Sequence, residues 1–128
     1  MQKTEQFSKT HILNRMIALL NEKGWTQNAL ARDKDGCGVV PEDRDAVKFD
    51  IMGALYCVEY KYQQPAVVRL GREVRAAIHK ALLTMSTTKS VVELIHQDNF
   101  AYYINKYNDT PGRSKLEILR LLEKAKEY

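Results

Sequence analysis

What most constrains this chain is the spacing of its apolar residues, which recur every three or four positions along most of its length. From Ile12 they fall at Leu13, Met16, Ile17, Leu19 and Leu20, and from Leu70 at Val74, Ile78 and Leu82. Phe100, Tyr103, Ile104 and Tyr107 form another stripe, and Leu116, Leu119, Leu122 and Ala125 form a last one. A period near 3.6 gathers such residues on one helical face, and that face has to be buried against another element. The punctuation agrees. Ser8 or Thr10 caps the first helix and Gly24 stops it. Ser90-x-x-Glu93 and Ser114-x-x-Glu117 are capping boxes, each ahead of an apolar run. The expected fold is all-α or mostly α, a compact bundle of five or six helices. One domain over 1–128 is expected, with 1–7 as a loose N-terminal tail.

Two stretches depart from this period. Residues 26–40 fit either a short β-hairpin at about 28–40, turning at Asp35-Gly36, or a helical turn followed by a loop. Pro41-Glu42-Asp43-Arg44-Asp45 reads as a helix start, with carboxylates near the positive end of the dipole. That helix is expected to bury Ala46, Phe49, Met52 (or Gly53) and Tyr56 and to run to about Tyr60. A glycine inside it costs about 1 kcal/mol against alanine, so Gly53 marks close packing. A further helix is expected over about Ala66 to Leu83.

Composition narrows the functional classes. With 45% apolar and 28% charged residues the chain is globular in character. No apolar run reaches the 18 or so residues of a membrane span, and no leader pattern follows Met1, so a cytoplasmic protein without membrane partners is expected. Cys37 and Cys57 lie far apart and are expected to be reduced. His11, His79 and His96 stand near neither cysteine, and no metal site or cofactor is expected. The net charge of +4 comes entirely from the second half. Residues 1–64 carry nine Lys/Arg against nine Asp/Glu, and 65–128 carry eleven against seven. This leaves room for an acidic partner without requiring one.

Four constellations can be weighed for chemistry. Residues 16–32 resemble the first two helices of phage-repressor helix-turn-helix domains, through the stop at Gly24, Thr26-Gln27 and Leu30-Ala31. The recognition element would then be Gly38 to Asp45, whose Glu42, Asp43 and Asp45 repel phosphates, so the segment 12–32 is a weak DNA reader. Asp33, Asp35, Gly36 and Glu42 match an EF-hand loop in part, but Ala31 occupies the position of its first carboxylate. An ordinary turn explains them better. Arg69, Arg72, Arg75 and His79 share one helix face, a candidate basic surface and, more plainly, a solvated one. No nucleophile motif or phosphate loop occurs. Asp50, beside Phe49 and Gly53, fits an exposed helix face somewhat better than an inward one, where it would need a cation or hydrogen-bond donors and Arg32 or Arg113 could serve.

Two signatures remain. One is Gly24-Trp25, then Ala29-Leu30-Ala31-Arg32-Asp33-Lys34-Asp35-Gly36, then Gly53-Ala54-Leu55; the other is Tyr107-Asn108-Asp109-Thr110-Pro111-Gly112-Arg113-Ser114. In this order they resemble an uncharacterised family of small bacterial and phage-borne proteins, a domain of unknown function. The likeness spans about residues 10–125. The family often has Trp-Cys where this chain has Phe49-Asp50, and Trp where it has Tyr107. The resemblance therefore implies a fold, no cysteine chemistry at that place, and no activity.

The Tyr107–Ser114 segment has a structural explanation: Asn and Asp end one helix, Pro-Gly turns the chain and Ser114 caps the next. The functional alternative is a polar pocket formed by Trp25, Arg32, Asp50, Asn108, Asp109 and Arg113. The leading expectation is a non-enzymatic binding protein. It would engage a protein partner or itself through Tyr102, Tyr103 and Tyr107, or through the basic helix. Nucleic-acid binding through the basic second half is the alternative. An enzyme with the Asp/Arg pocket ranks third, and it requires Asp50, Asp109, Arg32 and Arg113 within hydrogen-bond reach of one another.

Overall fold

The computed structural model describes residues 8–85 and 99–128. Among these, five helices enclose one apolar core beside a small sheet: α1 (Lys9–Glu22), α2 (Ile51–Tyr62), α3 (Pro65–Met85), α4 (Phe100–Asn108) and α5 (Lys115–Ala125). The mostly helical architecture matches the periodicity. The Ser90-x-x-Glu93 box, His96 and the tail 1–7 lie outside the described residues.

α1 begins where Ser8 accepts the His11 N–H at 3.0 Å, and it buries Ile12, Leu13, Met16, Leu19 and Leu20. α3 turns Val74, Ile78 and Leu82 inward and packs on α5, α4 and α1. α5 opens with the complete capping box: Ser114 Oγ accepts from Glu117 N at 3.2 Å, and Glu117 Oε1 accepts from Ser114 N at 2.8 Å. Its buried face is Ile118, Leu121, Leu122 and Ala125 rather than the expected set. Leu116 is 55% exposed, because it sits in the first turn, beyond the reach of the core. No helix among the described residues is long and apolar enough to cross a membrane.

The aperiodic stretch is β. Strands β1 (Ala31–Arg32), β2 (Gly38–Val39) and β3 (Lys48–Phe49) pair antiparallel in the order β2-β1-β3. The hairpin over 28–40 is therefore present, and its third strand was not expected. Asp33 builds the turn: its Oδ1 accepts the N–H of Asp35 at 2.9 Å and of Cys37 at 3.0 Å. Gly36 supplies a φ of +84°. Such self-bonding by Asp is the turn chemistry anticipated, and among the described residues no group of three His, Cys, Asp or Glu gathers for a metal.

Residues 41–47 correct the expected helix start. Asp43 accepts the Asp45 N–H at 2.8 Å, and Ala46 N donates to Asp43 O at 3.0 Å, so the acidic run folds into turns. The helix begins nine residues later, at its N-cap Asp50, whose Oδ1 accepts Gly53 N–H at 2.5 Å. Phe49 is then a strand residue, and Tyr56 faces outward at 37% exposure. The same turns remove the repressor likeness: residues 25–32 hold bends and a strand where a second helix would be needed.

Gly53 does mark close packing. A Cβ there would stand 1.8 Å from the carbonyl oxygen of Leu30, so only glycine lets β1's approach lie on α2.

Candidate functional site

The two signatures meet, and Asn108 is the point of contact. It is the last residue of α4 and is fully buried. Its Oδ1 accepts from Trp25 Nε1 at 2.8 Å and from Ile51 N at 3.1 Å. Its Nδ2 donates to Thr26 O at 3.1 Å and to Asp109 Oδ1 at 2.9 Å. Both partners of the oxygen are donors and both partners of the nitrogen are acceptors, so one orientation of the amide satisfies all four bonds. Asn108 thus joins α4, the start of α2 and the 25–26 segment. A local turn residue would bond only to its neighbours; of the four partners here, only Asp109 is adjacent and the other three lie 57 to 83 residues away.

Two more side chains fasten the same seam. Gln27 Nε2 donates to Asn108 O and Thr110 O, both at 2.9 Å. Asp109 Oδ1 also accepts from Asn28 N at 2.8 Å. Asn28 takes a left-handed φ of 65°, a region that asparagine enters more readily than most residues. Thr26 and Gln27 were not among the candidate residues. Their only sequence signal was Thr-Gln after Gly-Trp, which read as a helix start.

Asp50 corrects the expectation of an exposed carboxylate. It is 3% exposed, and its own N–H donates to Leu30 O at 3.1 Å. Burial pushes its pKa from 3.8 up to about 7; the Gly53 N–H works against that shift, and the Asp109 charge adds to it.

The two arginines go elsewhere. Arg32 ties its own loop, donating to Thr26 Oγ1 at 2.9 Å, Gly36 O at 2.9 Å and Gln27 O at 3.0 Å. Arg113 lies over the Tyr107 ring, 3.7 Å from its centroid, and donates to Tyr107 O at 3.0 Å and Glu117 Oε2 at 3.1 Å. Of the six candidate pocket residues, Trp25, Asn108 and Asp109 are joined by hydrogen bonds and Asp50 adjoins them. Arg32 and Arg113 brace neighbouring turns. Among the described residues no hydrogen bond or ion pair links either arginine to Asp50 or Asp109.

The basic face is smaller than expected. Arg69 and Arg72 are exposed and Arg75 is half-buried. His79 is 3% exposed, with its ring 5.1 Å from Phe100 and 5.7 Å from Tyr103, and burial lowers its pKa. It belongs to the seam between α3 and α4.

α4 carries the remaining feature of interest. Tyr102 is 49% exposed, and Lys106 Nζ stands 5.4 Å from its ring centroid. With Asn105, Asp109, Thr110 and Pro111 they line a shallow recess. The Oδ1 atom of Asn105 is buried and has no hydrogen-bond partner. Tyr103 and Tyr107 turn inward, toward His79 and under Arg113.

Among curated proteins and among solved structures none matches this chain. A family model does, over residues 5–128, nearly the whole length. The chain belongs to the family of unknown function DUF6197.

Proposed function

We propose that the protein works by binding a protein partner, and that the outer face of α4 is where the partner sits. The observation that carries this reading is that Asn105, one of the residues lining an aromatic and polar recess, keeps a buried amide oxygen without a donor, which a small shift of its side chain would present to a partner. A buried acceptor left unpaired costs about 1–3 kcal/mol, and a partner's N–H or O–H placed there recovers that cost. Tyr102 and Lys106 flank it with the aromatic and cationic surface that binding faces favour. The polar residues of the two signatures support the same reading from the other side. Asn108, Arg32 and Arg113 spend their hydrogen bonds on the fold, which leaves little free for catalysis.

The test is affinity capture from the native host with three baits. These are the wild type, Tyr102→Ala/Lys106→Glu on α4, and Arg69→Glu/Arg72→Glu on α3. The reading expects one protein retained by the wild type and the α3 variant and lost by the α4 variant. Retention by the α4 variant would overturn it. Capture of nucleic acid that raised salt releases, lost with the α3 variant, would overturn it in favour of the basic helix.

A further inference from the structure

We propose that the recess between the middle of α3 and the start of α4 binds the phosphate group of a small phosphate monoester, held by Arg72, Arg75 and the first backbone N–H groups of α4. The proposal does not rest on the outer face of α4, because it uses the end of that helix and the α3 side chains beside it.

The sequence places the cations. Arg72, Arg75 and His79 follow one another at spacings of three and four, which sets them in a row on one face of α3. His79 ends that row inside the protein: it is 3% exposed, and its ring lies 5.1 Å from that of Phe100, the first residue of α4. This contact fixes the opening turn of α4 one turn of α3 away from Arg75. Arg72 and Arg75 thereby line a recess together with Asn99, Phe100 and Ala101. The Nε2 atom of His79 is buried without a hydrogen-bond partner, so a polar atom beside Phe100 is also left unmet.

The donors at this recess have no partners of their own. Among the described residues neither arginine makes a hydrogen bond or an ion pair. Glu59 of α2 approaches Arg75 beside Gly71 and offsets part of its charge, yet no ion pair closes between them. At α4, the side chain of the N-cap Asn99 accepts none of the first N–H groups. A helix leaves those groups without internal partners and carries a partial positive charge there. A phosphate monoester presents three acceptor oxygens, and a guanidinium meets two of them with parallel bonds. Two arginines and one helix end therefore answer one phosphate. Phe100 and Ala101 add an apolar flank for the body of the ester. A nucleic-acid backbone asks for a longer cationic track, whereas this row is three arginines long and ends at buried His79.

The experiment titrates the full chain at neutral pH with inorganic phosphate, phenyl phosphate and oligothymidine, followed by backbone amide NMR. The expected result is a saturable shift of the Phe100, Ala101 and Tyr102 amides, with phenyl phosphate binding more tightly than inorganic phosphate. Arg72→Ala/Arg75→Ala should weaken phenyl phosphate by about tenfold or more, since each arginine lost removes charge-assisted bonds. Lys34→Ala/Arg44→Ala, which removes the same charge from exposed positions by the sheet, should leave binding unchanged. Absence of saturable binding, shifts scattered away from the first turn of α4, or an equal loss in the two double variants would overturn the proposal. Oligothymidine binding more tightly than phenyl phosphate at the same amides would overturn it in favour of a nucleic acid. Should the double variant on α3 fail to fold, exposed Arg72→Ala alone carries the comparison, beside the wild-type shifts.

Discussion

Replacing Gly53 with alanine sets two effects of opposite sign against each other, and the structure decides between them. Helix propensity favours alanine at the third position of α2 by up to about 1 kcal/mol, chiefly because glycine leaves the unfolded chain more freedom to lose. Against this, the new Cβ would stand 1.8 Å from Leu30 O and 2.7 Å from its carbonyl carbon. Ordinary contact begins at 3.4 Å, so one of the two backbones must move by about 1.6 Å (3.4 − 1.8). Neither is free to do so. Leu30 O accepts Asp50 N–H at 3.1 Å, and the next residue, Ala31, pairs with strands on both sides. α2 is held in turn by its own N-cap and by Ile51 N on Asn108.

Overpacking of this kind costs typically 1–3 kcal/mol or more, and the Asp50–Leu30 bond broken in relief adds about 1–3 kcal/mol. The net expectation is a destabilisation of about 1–5 kcal/mol, against a gain of up to about 1 kcal/mol from propensity alone. Urea unfolding at 25 °C, followed by helical ellipticity and by Trp25 emission, measures it through the midpoint at constant slope. Gly71→Ala is the matched control. Its Cβ would also meet an atom at 1.8 Å, but that atom is Glu59 Oε2, at the end of a side chain that can swing aside. This variant should stay within about 1 kcal/mol of the wild type. A Gly53→Ala protein as stable as the wild type, or more so, would refute the close approach of Leu30 to α2.

Asn108→Ala should destabilise by about 2–5 kcal/mol in the same assay, because Trp25 Nε1 and Ile51 N each lose a buried acceptor. Asn108→Asp should be at least as severe near neutral pH and partly rescued by acid, since it sets a carboxylate against Thr26 O and Asp109. Ser114→Ala removes the oxygen that holds Glu117 N, at a cost of about 1 kcal/mol in urea. For Asp50, the folded protein holds the proton to about pH 7 while the unfolded chain releases it near 3.8, so stability is full below 3.8 and declines as pH rises to 7. The displacement of about three units corresponds to a ceiling of about 4 kcal/mol, and Asp50→Asn should flatten the urea midpoint between pH 5 and 8.

What could be read from the chain in advance follows from the range of the forces involved. The helical stripes of α1, α3 and α5 and the Ser114 box are local patterns, in which each residue's role is set by neighbours three or four positions away. The Asp33 turn was legible for the same reason. Where two local signals compete, composition points to the wrong one. Pro41-Glu42-Asp43 carries the composition of a helix start, while Asp50-x-x-Gly53 carries the actual cap. The difference lay in Asp43 bonding to its own neighbours and in Phe49 being drawn into a third strand by Ala31. No pattern over ten residues records that strand.

The two signatures show the limit most clearly. Each half has a sufficient local account as a turn or a cap, and neither account predicts that Asn108 reaches Trp25, Thr26 and Ile51. Yet a residue with four hydrogen-bonding positions, placed where three chain segments converge, is the economical way to hold a small sheet against a helical core. That explains why Trp25 and Asn108 are joined while Arg32 and Arg113, equally prominent in the motif, keep apart. The arginines stiffen the two loops that present the contact, and Asn108 makes it. On this view the motif is chiefly a device for closing the fold. Beside it, outside both signatures, sits Asp50, a buried carboxyl that caps α2 well but carries its charge badly. With the motif committed to the fold, function is best sought on the outer face of α4, where Tyr102 and Lys106 stand exposed beside Asn105.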